Sequence, residues 1–154
     1  VQRFEDIVIG ARQQLGAYTF TADNIKAFAR KYDPQAFHLD EEAGRRSLFG
    51  ALAASGWHTT SAWMKTAVEY GQRDAGSAIT VGGASPGFKN LKWPKPVVAG
   101  DTVTYFTEVV SKRESVTRPA WGLVFVLNTG LNQRGELVLS FDGSAFVPRR
   151  RAPR

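Results

Sequence analysis

The chain has 154 residues and 16.9 kDa, 43% of them hydrophobic and 22% charged, which describes one globular domain able to bury a core without staples and excludes a disordered chain. Cysteine is absent, so disulfide scaffolds, zinc–thiolate sites, cysteine-ligated iron–sulfur clusters and cysteine nucleophiles are excluded, and His38 and His58 are the only imidazoles. The net charge of +6 is mostly tail: Arg149, Arg150, Arg151 and Arg154 carry four of those charges, which leaves +2 over residues 1–148.

The first segment expected to be ordered is an extended run from Arg12 to Phe20. Thr21 then caps a short helix through Ala29, with Ile25, Phe28 and Ala29 facing inward at helical spacing. A loop follows from Tyr32 to Asp40, because Pro34 ends the helix and biases Asp33 toward extended backbone. Asp40-Glu41-Glu42 suits the start of a helical turn, where negative charge opposes the helix dipole. Residues 35–85 lack proline, and Gly56, Thr59, Trp63, Ala67 and Tyr70 repeat at helical steps, so the main helix is predicted over about 56–70 with Ser55 as its cap. The small residues from Ala51 to Gly56 suit tight packing on a sheet or close approach of a ligand.

Beyond Pro86 the chain turns to strands. One covers 78–81 or 88–93, and the next runs through 101–110 with β-branched and aromatic alternation. Two more, 121–129 and 136–141, form a hairpin through Asn132-Gln133-Arg134-Gly135, and a further strand covers 143–147. Gly82 to Gly87 reads as an irregular loop, since it lacks the lysine and the strand–helix setting of a phosphate loop. The fold class is α+β: one long helix wrapped by a curved antiparallel sheet, whose exposed edge favours pairing with a second copy.

Asp33 and His38 stand five apart on one constrained segment. They suit acid–base work on a common water; the alternative is that Asp33 closes the turn and His38 is a packed polar residue. His38 with Asp40, Glu41 and Glu42 lacks the spacing of a zinc motif, so no metal and no cofactor is expected. His58 falls about 200° round the helix from Gly56 and reads as a packing residue. A serine hydrolase is unsupported around Ser55, where the glycine-x-serine-x-glycine pattern is missing. No apolar run approaches the roughly 18 residues of a membrane span, and Arg3, Glu5 and Asp6 interrupt any apolar leader, so a cytoplasmic protein with no membrane partner is expected. The arginine tail lacks an accompanying zinc-finger or RNP pattern, so no specific nucleic-acid partner is expected either.

Three ordered blocks carry a family resemblance. They are Phe28-Ala29-x-x-Tyr32-Asp33-Pro34-Gln35-x-Phe37-His38-x-Asp40, then Phe49-Gly50-x-x-Ala53-x-Ser55-Gly56-x-His58-Thr59, and Asn90-Leu91-Lys92-Trp93-Pro94-Lys95-Pro96-Val97 followed by Gly100-Asp101-Thr102-Val103. Together they resemble the MaoC-like dehydratases and (R)-specific enoyl-CoA hydratases. The resemblance implies a single hotdog domain over 1–148 with a basic tail at 149–154, a homodimer or larger homo-oligomer, and an acyl-CoA thioester substrate of the kind met in fatty-acid metabolism. It implies reversible hydration of a trans-2-enoyl-CoA to an (R)-3-hydroxyacyl-CoA, with Asp33 and His38 as the catalytic dyad and the Gly56 N–H as donor to the thioester oxygen. Ala51 and Ser55 are expected to line the substrate pocket. Two positions depart from the pattern: Ser55 replaces a histidine common before that glycine, and Met64 stands where some members have a serine. A hotdog thioesterase and a non-catalytic acyl-CoA-binding subunit are the competing functions.

Overall fold

The computed structural model describes residues 2–74 and 84–150. After a 3-10 turn at Phe4–Asp6, the strand β1 (Arg12–Thr19) leads into α1 (Ala22–Tyr32), two short helices α2 (Ala36–Leu39) and α3 (Glu41–Arg46), and the long helix α4 (Gly56–Arg73). Four strands follow: β2 (Phe88–Lys92), β3 (Thr102–Glu114), β4 (Trp121–Leu131) and β5 (Leu137–Pro148). They form one antiparallel sheet in the order β1-β3-β4-β5-β2, not closed into a barrel.

The helix lies in the hollow of this sheet. Leu15, Phe20, Ile25, Val103, Tyr105, Val138 and Leu139 are almost fully buried around Ala62 and Ala67 of α4, so the small residues of the helix meet the large ones of the sheet. Tyr105 donates its hydroxyl to the carbonyl of Thr59 at 2.8 Å, which satisfies that polar tip in the core. Burial raises the Tyr105 phenol well above its ordinary range. Gly16 is a close approach of β1 to the helix: a Cβ there would sit 3.0 Å from Thr66 Cγ2, and its φ of +141° accompanies a register shift in the β1–β3 ladder. A second apolar cluster, Phe4, Ile7, Val109, Val124 and Val147, closes the far end of the sheet.

Several elements differ from the sequence reading. α1 continues three residues past Ala29, because Arg30 and Lys31 are good helix formers that favour a C-terminus and only Pro34 forces the stop. The segment read as a loop contains the helical turn α2, which carries His38. α4 extends to Arg73. Ser55 stands at its N-cap but makes no side-chain capping bond, contrary to expectation. β3 runs four residues beyond Val110, where a bulge between Val109 and Ser111 interrupts the alternation. The two strands expected at 136–141 and 143–147 are one, β5, since Gly143 remains in the ladder opposite Val126. The earlier strand is β2; its alternative at 78–81 lies outside the described residues.

The turn at 132–135 is as expected, with Gly135 at φ +76° and the Asn132 side chain accepting from the N–H groups of Arg134 and Glu136. Arg149 and Arg150 do not behave as a loose tail. Arg149 N–H bonds the Ala120 carbonyl, its guanidinium pairs with Glu5 and Glu114, and Arg150 pairs with Asp6. No helix among the described residues is long and apolar enough to cross a membrane.

Candidate active site

The end of α1 aims the carboxylate. Asp33 is the C-cap of that helix, its N–H bonding Ala29 O at 2.9 Å, and Pro34 prevents the helix from continuing. The chain reverses and α2 begins, so His38, five residues on, comes back beside Asp33: His38 Nε2 lies 3.2 Å from Asp33 Oδ2. The other ring nitrogen, Nδ1, is 2.6 Å from the carbonyl oxygen of Ala53. A carbonyl can only accept, so Nδ1 carries a hydrogen and Nε2 is the nitrogen left for chemistry. When both Nε2 and the carboxylate are unprotonated, two acceptors face each other; one shared proton turns that contact into a hydrogen bond. The pair is thus built to hold a proton at Nε2 or Oδ2.

Its surroundings favour the charged carboxylate. Burial pushes the Asp33 carboxyl up, but the side chains of Gln35, Ser55 and His38 oppose this and together bring it below the usual aspartate value. Gln35 Nε2 donates to Asp33 Oδ1 at 2.7 Å. Ser55 is 1% exposed and lines the same cleft, and its Oγ makes no hydrogen bond among the described residues. His38 is held between Phe37 and Phe49, with ring centroids 4.5 and 6.3 Å away.

Asp33, His38, Ser55, Gly56, Trp93 and Lys95 line one cleft of about 410 Å³. Gly56 opens the 18-residue helix α4, and neither its N–H nor that of Trp57 has a partner among the described residues, as expected for the first turn of a helix. These amides and the helix dipole favour negative charge in the cleft. Glycine is required there, since a Cβ on Gly56 would stand 2.3 Å from the Trp93 indole. Trp93 is fixed in turn by its Nε1–H, which donates to Thr60 Oγ1 at 3.1 Å. Lys95 at the cleft wall pairs with Glu136, whose carboxyl is held at about 2 by Lys95 and Arg134.

The structure thus brings together Asp33, His38, Ser55 and Gly56. Ala51 lies elsewhere: its backbone packs on Gly44, where a Cβ would fall 2.6 Å from Ala51 O, and it does not line the cleft. The small residues before α4 serve that close packing, with Ala53 fully buried and bridged to Val98. His58 is packed as read, buried and stacked on Phe28 at 4.7 Å with Tyr18 OH 3.1 Å from its Nε2. Sequence reasoning missed Gln35, Trp93 and the Ala53 carbonyl. For the first the signal was present, an amide two residues after the candidate carboxylate; a backbone carbonyl leaves none.

A long helix cradled in a curled antiparallel sheet, with a carboxylate–imidazole pair beside the helix N-terminus, is a hotdog domain of the dehydratase type. The chain belongs to the MaoC-like domain family, whose model matches residues 7–120. It is similar to the MaoC-like dehydratase from Rhodospirillum rubrum, with a TM-score of 0.84 and 38% identity, covering 99% of this chain and 100% of that one. The uncharacterized protein YdeM of Bacillus subtilis is 27% identical over 147 residues, 96% of this chain and 99% of that protein. The mesaconyl-CoA hydratase of Cereibacter sphaeroides is 39% identical over 67 residues, 44% of this chain and 19% of that protein.

Proposed function

We propose that the protein catalyses the reversible hydration of a trans-2-enoyl-CoA to an (R)-3-hydroxyacyl-CoA, as a homodimer. The observation that carries this reading is the Asp33–His38 pair, 3.2 Å apart in the same cleft as the unpaired N–H of Gly56. The family and the hydratase among its relatives support it.

The thioester oxygen takes the Gly56 amide, where the helix dipole stabilises the enolate-like charge that develops as water adds. Asp33, kept ionised, removes a proton from a water whose oxygen bonds to the β-carbon. His38 delivers the proton on Nε2 to the α-carbon. Asp33 then passes its new proton across to Nε2, which restores the pair, and dehydration runs the same steps backwards. Ala53 O keeps Nδ1 protonated throughout, so Nε2 alone exchanges protons. The Ser55 hydroxyl supports the carboxylate and can donate to the same water.

The dimer forms along the edge of β2, which among the described residues has β5 as its only neighbour in the sheet and carries the half-exposed Phe88. The test is loss of the 2-enoyl absorbance of crotonyl-CoA and longer homologues, with release of free thiol followed in parallel. Turnover without thiol release, abolished in Asp33→Asn and His38→Ala while circular dichroism is retained, is the expected result. Thiol release would make the protein a thioesterase, and tight acyl-CoA binding without turnover would make it a binding subunit. Sedimentation at the dimer mass completes the test, and a monomer would remove the β2 pairing.

A further inference from the structure

An apolar cavity of about 440 Å³ runs beside α4, and Trp57 lines both this cavity and the catalytic cleft. On the helix its lining reaches from Trp57 to Val68, a span of about 16 Å at the α-helical rise. On the sheet it follows β5 from Phe141 to Val147, whereas Val138, earlier on the same strand, belongs to the cleft. Val147 therefore marks the end remote from the cleft, and there Ile7 completes the wall. Among the described lining residues Ile7 alone precedes α4 in the chain; the others belong to the helix, the sheet and the segment entering β2.

Ile7 lies in no strand and no long helix. It ends the 3-10 turn Phe4–Asp6, is 3% exposed, and packs with Phe4, Val109, Val124 and Val147. A turn of three residues has no stability of its own, so whatever holds the turn fixes Ile7. Part of the hold is apolar. The Phe4 ring lies over Gly122, where no Cβ would fit, and Lys112 donates to the Phe4 carbonyl at 3.0 Å with its ammonium 4.9 Å from the ring centre. The rest comes from the two arginines that follow β5. Arg150 N–H donates to Glu5 Oε2 at 3.0 Å, its guanidinium pairs with Asp6, and Arg149 Nε lies 3.5 Å from Glu5 Oε1. Arg149 is anchored in turn by its N–H to Ala120 O at 2.9 Å and by its guanidinium to Glu114 at 2.6 Å.

We propose that Ile7 is the stop that sets the longest acyl chain the enzyme accepts, and that Arg149 and Arg150 are positioning residues that hold the stop in place. The inference rests on the thioester reading of the catalytic cleft, with the chain carried along α4. A chain whose methyl end just meets Ile7 gains contact. One carbon more has to displace a buried side chain from a close-packed cluster, and overpacking of that kind is costly. The basic segment, which the acid–base chemistry does not use, thereby acquires a task at the opposite end of the substrate.

The test measures kcat/KM of the purified full-length protein over the trans-2-enoyl-CoA series from butenoyl to hexadecenoyl. Wild type should gain with length up to a limit and fall beyond it. Ile7→Ala removes three side-chain carbons and should carry the limit outward by about two carbons, with a gain of about fourfold for each methylene newly buried. Ile7→Phe should draw the limit inward. A merely structural role for Ile7 lowers activity on every compound alike and cannot move the limit in opposite directions. Arg150→Asp should shift it as Ile7→Ala does, and adding Asp6→Arg, which restores the pair with reversed charges, should bring it back. Calorimetric binding of the corresponding saturated acyl-CoAs reads the same limit without turnover. A limit that stays put in both Ile7 variants while hydration continues would overturn the inference and leave the hydratase intact. A binding limit that moves with Ile7, without hydration of any compound, would keep the stop and reject the hydratase.

Discussion

His58 gives the sharpest stability prediction, because it is buried among aromatic rings with only the neutral Tyr18 hydroxyl beside its Nε2 among the described residues. It is 5% exposed, stacked on Phe28 and edge-on to Phe20 and Tyr18, and burial pushes its imidazole from 6.5 down to about 4. A histidine depressed in the folded state binds its proton more readily in the unfolded chain. The stability it contributes is fully present above pH 6.5 and is lost as pH falls toward 4. Linkage over that interval gives about 2 kcal/mol of loss between pH 7 and pH 5, and about 1 kcal/mol after discounting for partial screening by water. Urea unfolding of the wild type and of His58→Phe at both pH values measures it. The wild type should lose about 1 to 2 kcal/mol more than the variant on going from pH 7 to 5. The depressed carboxyl of Asp33 does not confuse the comparison, since its contribution is lost only below its ordinary value of 3.8. Equal pH slopes in the two proteins would show that His58 is hydrated or already charged, and the reasoning from burial would fail.

Gly56→Ala forces a methyl into the Trp93 indole, at 2.3 Å, and is expected to cost about a hundredfold in kcat with the helix intact by circular dichroism, in the range of a lost oxyanion donor. Ser55→Ala removes a hydroxyl that caps nothing, so thermal stability should change little, while the acidic limb of the kcat/KM–pH profile moves to higher pH as Asp33 loses a donor. An unmoved limb would take Ser55 out of the site. Gly143→Ala overpacks the strand against Asn128 and Val126 and should destabilise by about 1 to 3 kcal/mol in urea titration.

Much of this was legible in the sequence where a local rule decides the outcome. Thr21 caps α1 through the Asn24 N–H, Asp40 caps α3 through that of Ala43, and the Pro34 stop puts Asp33 at the helix end, all of which follow from side-chain chemistry within a few residues. Ser55 shows the limit of such rules. Its type and place say cap, yet it makes no capping bond and lines the cleft with Asp33, 22 positions earlier in the chain, a neighbour that only the tertiary fold supplies. The merged strand β5 failed for a related reason. Gly143 looks like a break in isolation, but it is the one residue small enough to pass the Asn128 amide from the neighbouring strand. Ala51 and Ala53 had the same small side chain and the same apparent promise; a backbone contact with Gly44 removed one from the cleft, and a main-chain oxygen made the other essential.

That oxygen has a consequence for anyone mapping this protein by mutagenesis. The nitrogen on which His38 exchanges its proton is dictated by an atom that every amino acid possesses, so a full substitution scan at position 53 will report only on side-chain bulk and score the site as tolerant of small residues. Only an amide-to-ester replacement following Ala53, which weakens its carbonyl as an acceptor, would expose the dependence.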